Sequence, residues 1–237
     1  MARILSISSQ VAWGPVGNSA AVPAMMAQGM EVMALPTILL SNHPGHGKPE
    51  GLRLPAPTLA AMLERLGTLG ALDGLDGILT GYFADAEQVE TAARFIAKFP
   101  KALYLCDPVI GDDPKGLYVP ESVAEAIRAR LLPLAKILTP NRFEREWLGD
   151  VAHVPELMTT SLPEGENLIT ELQTPKARLR HATRKVAGVP HGTGDLLAGL
   201  YLAQRLRQEP ETAFPAAMAG LETVITRSLG KPGLQLP

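Results

Sequence analysis

Short apolar runs alternate along the chain with longer stretches in which apolar residues recur every three or four positions. The short runs are typical of buried strands, and the longer spacing is typical of helices that pack on one side. Apolar runs predict strands over residues 2–8, 31–36, 37–40, 77–82, 102–108, 136–140 and 157–162. Helical patterns cover residues 18–28, 58–71, 86–98, 123–132, 141–148, 191–206 and 213–229. This alternation predicts one α/β domain over residues 1–237, with a mostly parallel central sheet and helices on both faces.

Polar residues mark where several of these helices are expected to begin. Asn18, Thr58 and Asp85 each precede a helical pattern and are predicted to act as N-caps. Residues 163–190 differ from the rest, because they carry charges, prolines and β-compatible fragments without a helical pattern. We therefore expect an irregular segment there.

Composition narrows the class of protein. Hydrophobic residues make up 46% of the 237 residues and charged residues 19%, which is typical of a globular chain and excludes a disordered one. The 22 basic and 24 acidic residues give a net charge of −2, which argues against a nucleic-acid partner. Cys106 is the single cysteine, so an internal disulfide is excluded. With no apolar run of about 18 residues and no signal-peptide pattern, we expect a cytoplasmic protein without a membrane partner.

The sharpest local motif is Gly192-Thr193-Gly194-Asp195, which directly precedes an apolar helical pattern. Glycines let a backbone approach a ligand closely, and the free N–H groups at a helix start bind anions. An aspartate at that point could take a proton from a hydroxyl that attacks a phosphorus. The alternative is that Asp195 only caps a helix after a flexible turn.

Two common nucleotide-binding motifs do not occur in the sequence. No segment matches GxxxxGK[ST], which disfavours a P-loop kinase. The glycines at positions 14 and 17 lack the GxGxxG spacing, which disfavours a dinucleotide-binding dehydrogenase.

A second set of polar residues follows two predicted strands. Asp107 ends one strand, and Asn141 and Glu144 follow another. Open α/β sheets bind ligands at the carboxyl ends of their strands, and Mg²⁺ favours a few carboxylates together with water and phosphate. These residues therefore indicate a site for hydrated Mg²⁺, although each of them could also be an ordinary turn or cap residue.

Taken together, these motifs resemble those of pyridoxal kinase, a member of the ribokinase-like superfamily. The segments that carry the resemblance are GNSAA at 17–21, SNH at 41–43, GY at 81–82, DPVIGDDPKGLYVP at 107–120, TPNRFE at 139–144 and GTGD at 192–195. GTGD alone marks the superfamily, whereas GNSAA, SNH and Ser9 are specific to the pyridoxal kinase branch. The resemblance covers residues 2–148 and resumes over about 158–228.

The resemblance implies a ribokinase-like three-layer fold and ATP-dependent phosphorylation of the 5′-hydroxymethyl group of pyridoxal. It implies that Asp195 is the catalytic base and that the glycine turn holds the transferred phosphate. The implied residues are Gly192, Thr193, Gly194 and Asp195 for catalysis, Ser9, His43, Tyr82 and Asp195 for pyridoxal, Asp107, Asn141, Glu144 and Thr160 for the nucleotide, and Asp107 and Glu144 for the metal. It further implies ATP and Mg²⁺, a possible monovalent cation and a homodimer.

The sequence departs from the family pattern in two places. Pro44 follows SNH where relatives often have a hydroxyl residue, which removes one expected substrate contact. The chain is also shortened between Leu148 and Met158, where relatives carry a further helix. We expect this loss to expose an apolar sheet face unless a second copy or residues 163–190 cover it, and we expect weaker ATP binding.

Two other functions fit the same motifs. Hydroxymethylpyrimidine kinase shares the superfamily turn, but Ser9, SNH and GY favour pyridoxal. A shortened, non-catalytic member of the family that binds a vitamer or a partner is the other alternative, and nucleotide binding would separate it from a kinase.

Overall fold

The computed structural model describes residues 1–236. Its strands are β1 (Arg3–Trp13), β2 (Glu31–Asn42), β3 (Gly51–Arg53), β4 (Gly77–Thr80), β5 (Leu103–Cys106), β6 (Gly111–Asp112), β7 (Gly116–Leu117), β8 (Ile137–Leu138), β9 (Glu156–Glu164), β10 (Asn167–Gln173) and β11 (Arg178–Arg184). Its α-helices are α1 (Asn18–Ala27), α2 (Ala56–Thr68), α3 (Ala86–Ile96), α4 (Glu121–Ala126), α5 (Arg142–Leu148), α6 (Thr193–Arg205) and α7 (Pro210–Ser228). None of these helices, over the residues described, is both long and apolar enough to cross a membrane.

Nine strands form one sheet in the order β11-β10-β9-β8-β5-β4-β1-β2-β3. The six strands from β9 to β2 in this order pair in parallel. The antiparallel strands β3, β10 and β11 extend the two edges, and β6 and β7 form a separate hairpin. This arrangement confirms the predicted mostly parallel α/β sheet.

Helices cover both faces of the sheet and bury a separate apolar cluster on each. Helices α1, α6 and α7 pack on one face, where Met25 and Tyr201 are fully buried. Helices α2, α3, α4 and α5 pack on the other, around Leu59, Val89 and Leu148. The result is the three-layer fold that the resemblance implied.

The first two strands are longer than the sequence predicted. β1 continues to Trp13, and β2 is one strand that passes through Pro36. The pairing shifts register between Ser8 and Gln10, directly after Ser8 pairs with Pro36. Proline has no N–H to donate to a ladder, so this bulge accommodates it and lets both strands continue.

Cap geometry decides which of the predicted helix starts are right. The Asp85 carboxylate accepts a hydrogen bond from the Gln88 N–H at 2.8 Å, which confirms that cap. The predictions at Asn18 and Thr58 are wrong, because α1 is capped by Gly17 and α2 begins two residues before Thr58. Asn18 instead lies buried and accepts a hydrogen bond from the Ser6 hydroxyl at 2.7 Å, which ties α1 to the sheet.

The shortened crossover between β8 and β9 contains only α5 and the turn at 149–155. This turn is not merely a connection, because it buries Val151 and Val154 beside Leu148 and Leu157. Residues 163–190 do not fold back over the sheet, so that expectation is wrong. They are not irregular either, because they contain the whole of the antiparallel strands β10 and β11, which widen the sheet.

The sheet face beyond α5 is polar rather than apolar. Glu171 of β10 is buried there and accepts a hydrogen bond from the Arg178 guanidinium at 2.8 Å. Arg180 lies directly opposite Glu171 in the register and bonds Glu164 at 2.7 Å. Because arginine stems cover strand surface while their charged ends reach water, this part of the face needs no further helix. The expected exposed apolar face is therefore wrong here.

Candidate active site

The predicted site residues lie at the carboxyl ends of the parallel strands. Asp107 follows β5, Asn141 follows β8, and Tyr82 lies two residues after β4. The start of α6, with Asp195 in its first turn, faces the same end of the sheet. Asp107 and Asp195 border one small cavity, together with Ser8, Gly17 and Gly81.

Asp195 is held by the tight turn that precedes α6. Gly192 has φ 97° and ψ 4°, and a Cβ on it would lie 2.2 Å from the Pro15 carbonyl oxygen. Only glycine fits this left-handed position, so the turn can pack against the loop at 14–17. Burial raises the pKa of Asp195 to about 6, and the backbone N–H groups of Gly17 and Asp195 itself lower it in part.

Asp107 is buried and held from two sides. The Thr139 hydroxyl donates to Asp107 Oδ1 at 2.9 Å, and the Asp107 backbone N–H donates to the Thr80 carbonyl at 2.8 Å. Burial raises the pKa of Asp107 well above its ordinary value, and the negative charges of Asp195 and Glu144 raise it further. The site therefore concentrates carboxylates, and a cation would relieve their repulsion.

Glu144 and Asn141 join two loops at the edge of the site. The Asn141 side chain accepts from the Glu144 N–H at 3.0 Å, and Glu144 Oε2 accepts from the Asn141 N–H at 2.9 Å, which is a complete capping box. Glu144 Oε1 accepts from the Ile110 N–H at 3.0 Å. Burial raises the pKa of Glu144 to about 7, although these hydrogen bonds lower it. Thr160 lies beside Asn141 through an isolated bridge.

Ser9 and Tyr82, two of the residues expected to contact pyridoxal, lie beside the register shift in β1. A Cβ on Gly17 would lie 2.2 Å from the Ser9 hydroxyl oxygen, so Ser9 reaches the same loop as Asp195. The Tyr82 N–H donates to the Ser8 hydroxyl at 3.1 Å, and the Tyr82 carbonyl accepts from Thr37 at 2.7 Å. Sequence reasoning missed Ser8, although it directly precedes Ser9.

Four aromatic rings lie together on the loops around the glycine turn. His43 and His191 have ring centroids 4.3 Å apart, and Trp13 stacks on His46 at the same distance. Burial, followed by the charges of His191 and His46, lowers the pKa of His43 to about 4. His191 was also missed from the sequence, although it directly precedes Gly192.

The donor set fits Mg²⁺ only in the company of phosphates. Within residues 1–236, no three His, Cys, Asp or Glu side chains converge to hold a metal ion by themselves. Asp107 and Glu144 are close enough that the Glu144 charge raises the pKa of Asp107. Mg²⁺ usually takes one or two carboxylates plus water and substrate phosphates. Asp112, near the same loops, has a buried Oδ1 that accepts no hydrogen bond from the described residues.

Sequence comparison connects this geometry to known proteins. Residues 69–161 match the family model described as phosphomethylpyrimidine kinase. A pyridoxine/pyridoxal/pyridoxamine kinase from Bordetella avium is 37% identical over 230 residues, which cover 86% of this chain and 77% of that protein.

Two solved structures share the fold. The pyridoxal kinase from Leishmania donovani in complex with ADP and pyridoxine has a TM-score of 0.89 and 28% identity, covering 99% of this chain and 92% of that one. The pyridoxal kinase from Entamoeba histolytica has a TM-score of 0.92 and 23% identity, covering 100% of this chain and 93% of that one. At the latter identity the likeness concerns the fold.

Proposed function

Because the chain belongs to the pyridoxal kinase family, we propose that it transfers the γ-phosphoryl group of ATP to the 5′-hydroxymethyl group of pyridoxal or a related B6 vitamer. One observation carries the proposal. Asp195 lies at the start of α6, borders the same cavity as Asp107, and has a pKa raised to about 6 by burial. A carboxylate of that pKa, beside the amides of a helix start, is suited to phosphoryl transfer.

Asp195 acts as the general base in this proposal. Its carboxylate accepts the proton of the substrate hydroxyl as that oxygen attacks the γ-phosphorus, and the backbone N–H of Gly17 helps orient it. The free N–H groups of the Gly192-Thr193-Gly194 turn then stabilise the charge that develops on the transferred phosphoryl group. The left-handed conformation of Gly192 keeps those N–H groups against the loop at 14–17.

Ser9, His43 and Tyr82 form the pyridoxal pocket in this proposal. Ser9 offers a hydroxyl to the polar groups of the pyridine ring, and Tyr82 offers an aromatic face. In support of this role, Ser9 contacts the Gly17 loop that holds Asp195, and the Tyr82 backbone is fixed by Ser8.

Asp107, Asn141, Glu144 and Thr160 form the nucleotide side of the site in this proposal. Asp107 and Glu144 would hold Mg²⁺, which when bound neutralises phosphate charge. Both oxygens of Glu144 already accept backbone N–H groups, so it also fixes the loop that follows Asp107. The monovalent cation and the cytoplasmic location stay predictions, as does weaker ATP binding.

A homodimer is part of the proposal, and exposed leucines on the β2–β3 edge support it. Leu39 and Leu52 are paired in the sheet register and are 43% and 61% exposed. Trp13, 53% exposed, ends the neighbouring strand β1. Apolar side chains grouped at a sheet edge are typical of an interface.

A substrate comparison tests the proposal. The chain is incubated with ATP and Mg²⁺ and with either pyridoxal or hydroxymethylpyrimidine, and phosphorylated product is measured by chromatography. The family model matched over residues 69–161 makes the pyrimidine the specific competitor. We expect a kcat/KM for pyridoxal at least about tenfold higher, since a pocket built for one set of polar groups rejects another strongly. Preference for the pyrimidine would contradict the substrate assignment, and no product with either would contradict the kinase assignment.

A further inference from the structure

Three segments meet around the glycine turn through stacked rings. The segments are the end of β1, the loop at 41–47, and His191 before α6. His43 and His191 stack with centroids 4.3 Å apart, and Trp13 and His46 stack at the same distance. His43 and His46 meet edge to face at 6.2 Å, so the four rings form a continuous clasp.

The packing at this clasp leaves little room. A Cβ on Gly45 would lie 3.0 Å from His191 Nε2 and 2.9 Å from His43 Nδ1. The Gly45 N–H donates to His43 Nδ1 at 3.1 Å, so the neutral His43 ring carries its proton on Nε2. The loop is thus shaped around a neutral His43 pressed against His191.

The loop has no hydroxyl residue after SNH to hold it. Pro44 occupies that position and begins the short 3₁₀ turn Pro44–His46. The loop backbone is tied to β1 by the bond from the His43 N–H to the Trp13 carbonyl at 2.8 Å. On the side that faces α6, the loop contacts His191 through the His43–His191 stack.

We propose that His191 is a positioning residue for the vitamer, which acts through its stack on His43 to hold the 41–47 loop against the turn that carries Asp195. This inference rests on the proposed function. In it, His43 contacts the vitamer and His191 keeps His43 in place. The effect is therefore on the vitamer side of the site and not on the nucleotide side.

The clasp also makes vitamer binding sensitive to acid. The groups that face His43 are His191, His46 and Lys115, and each of these charges disfavours its protonated form. Asp112 is the opposing negative charge near His191. Protonation of both stacked rings would place two like charges 4.3 Å apart and would remove the bond from Gly45 to His43 Nδ1. Because the pKa of His43 is about 4, the stack holds at neutral and mildly acidic pH and is weakened only as pH falls toward 4.

The test compares His191→Ala, which removes the ring, with His191→Phe, which keeps a ring without a charge. His153→Ala, on the turn after α5, is the matched control. We expect His191→Ala to raise KM for pyridoxal about 3- to 10-fold, the range for an aromatic pair, with KM for ATP changed by less than about twofold. His191→Phe should restore KM at pH 7.5. Equal KM changes for both substrates, or no rescue by phenylalanine, would overturn the proposal.

A second readout separates this inference from the proposed function. Amide hydrogen exchange of residues 41–47 is measured without ligands, so it does not depend on which substrate the chain accepts. We expect faster exchange in His191→Ala and exchange at the natural rate in His191→Phe and His153→Ala. Unchanged exchange in His191→Ala would overturn the clasp even if pyridoxal is the substrate. Faster exchange together with no activity on pyridoxal would support the clasp and contradict the proposed function.

Discussion

Glu144 is buried where the loop after β5 meets the start of α5, and its ionisation should make the stability of the protein depend on pH. Burial raises its pKa from 4.5 to about 7. The folded protein therefore holds this proton more tightly than the unfolded chain does. The stabilisation is fully present below the unfolded value of 4.5 and is lost as pH rises through about 7. Linkage over that window gives a loss of about 2–3 kcal/mol between pH 5 and pH 8.

Urea unfolding at pH 5, 6, 7 and 8 measures this effect, with Glu144→Gln as the perturbation. The variant cannot ionise at position 144. Between pH 5 and pH 8 the free energy of unfolding of the natural chain should therefore fall by about 2–3 kcal/mol more than that of the variant. Carboxylates outside the site contribute equally to both proteins and cancel in the difference. The pKa of Asp107 falls when the Glu144 charge is removed, which changes the difference in the same direction. Glu87→Gln, on the exposed side of α3, should leave the pH dependence unchanged. Parallel curves for the natural chain and Glu144→Gln would refute the reasoning.

Three further predictions follow from other contacts. Gly17→Ala should destabilise the chain by at least about 2 kcal/mol in urea unfolding, because φ is +57° and the new Cβ would lie 2.2 Å from the Ser9 oxygen; a neutral result would show that the loop is free to move. Glu156→Gln should cost about 3–5 kcal/mol in the same assay, since it breaks a buried pair with Arg205 at 2.8 Å; a loss below about 1 kcal/mol would contradict this. Leu52→Ser should shift a dimer to a monomer in light scattering, and an unchanged mass would remove this edge from the interface.

Much of the fold could be predicted because strand and helix patterns are local. The individual strands, the individual helices and the N-cap at Asp85 each depend on residues close in sequence. The missed features depend on pairing across the chain. β3 is three residues long and exists because it pairs with Leu39 and its neighbours on β2, a partner that no local pattern reveals.

In the candidate site, the residues that could be predicted are likewise those that stand in a local sequence motif. Glycine turns and strand-end carboxylates carry a local signal, so Asp107 and Asp195 could be named. His191 and Asp112 were missed because their roles depend on contacts with residues far away in sequence: His191 stacks on His43, and Asp112 is a negative charge near His191. The shortened crossover predicted an exposed apolar sheet face. The sequence did not reveal that β10 and β11 pair there and form the salt bridge between Arg178 and Glu171, because that pairing depends on the strand register.

The kinetics of Asp195→Asn decide whether Asp195 is the base in phosphoryl transfer to pyridoxal. Initial rates of pyridoxal 5′-phosphate formation are measured with ATP and Mg²⁺ for the natural chain, for Asp195→Asn and for Asp85→Asn, which replaces the N-cap of α3. We expect kcat to fall about 10²–10⁴-fold in Asp195→Asn, with a much smaller change in KM for ATP. Asp85→Asn should stay near the natural rate. An Asp195→Asn variant that keeps most of its turnover would show that Asp195 is not the base.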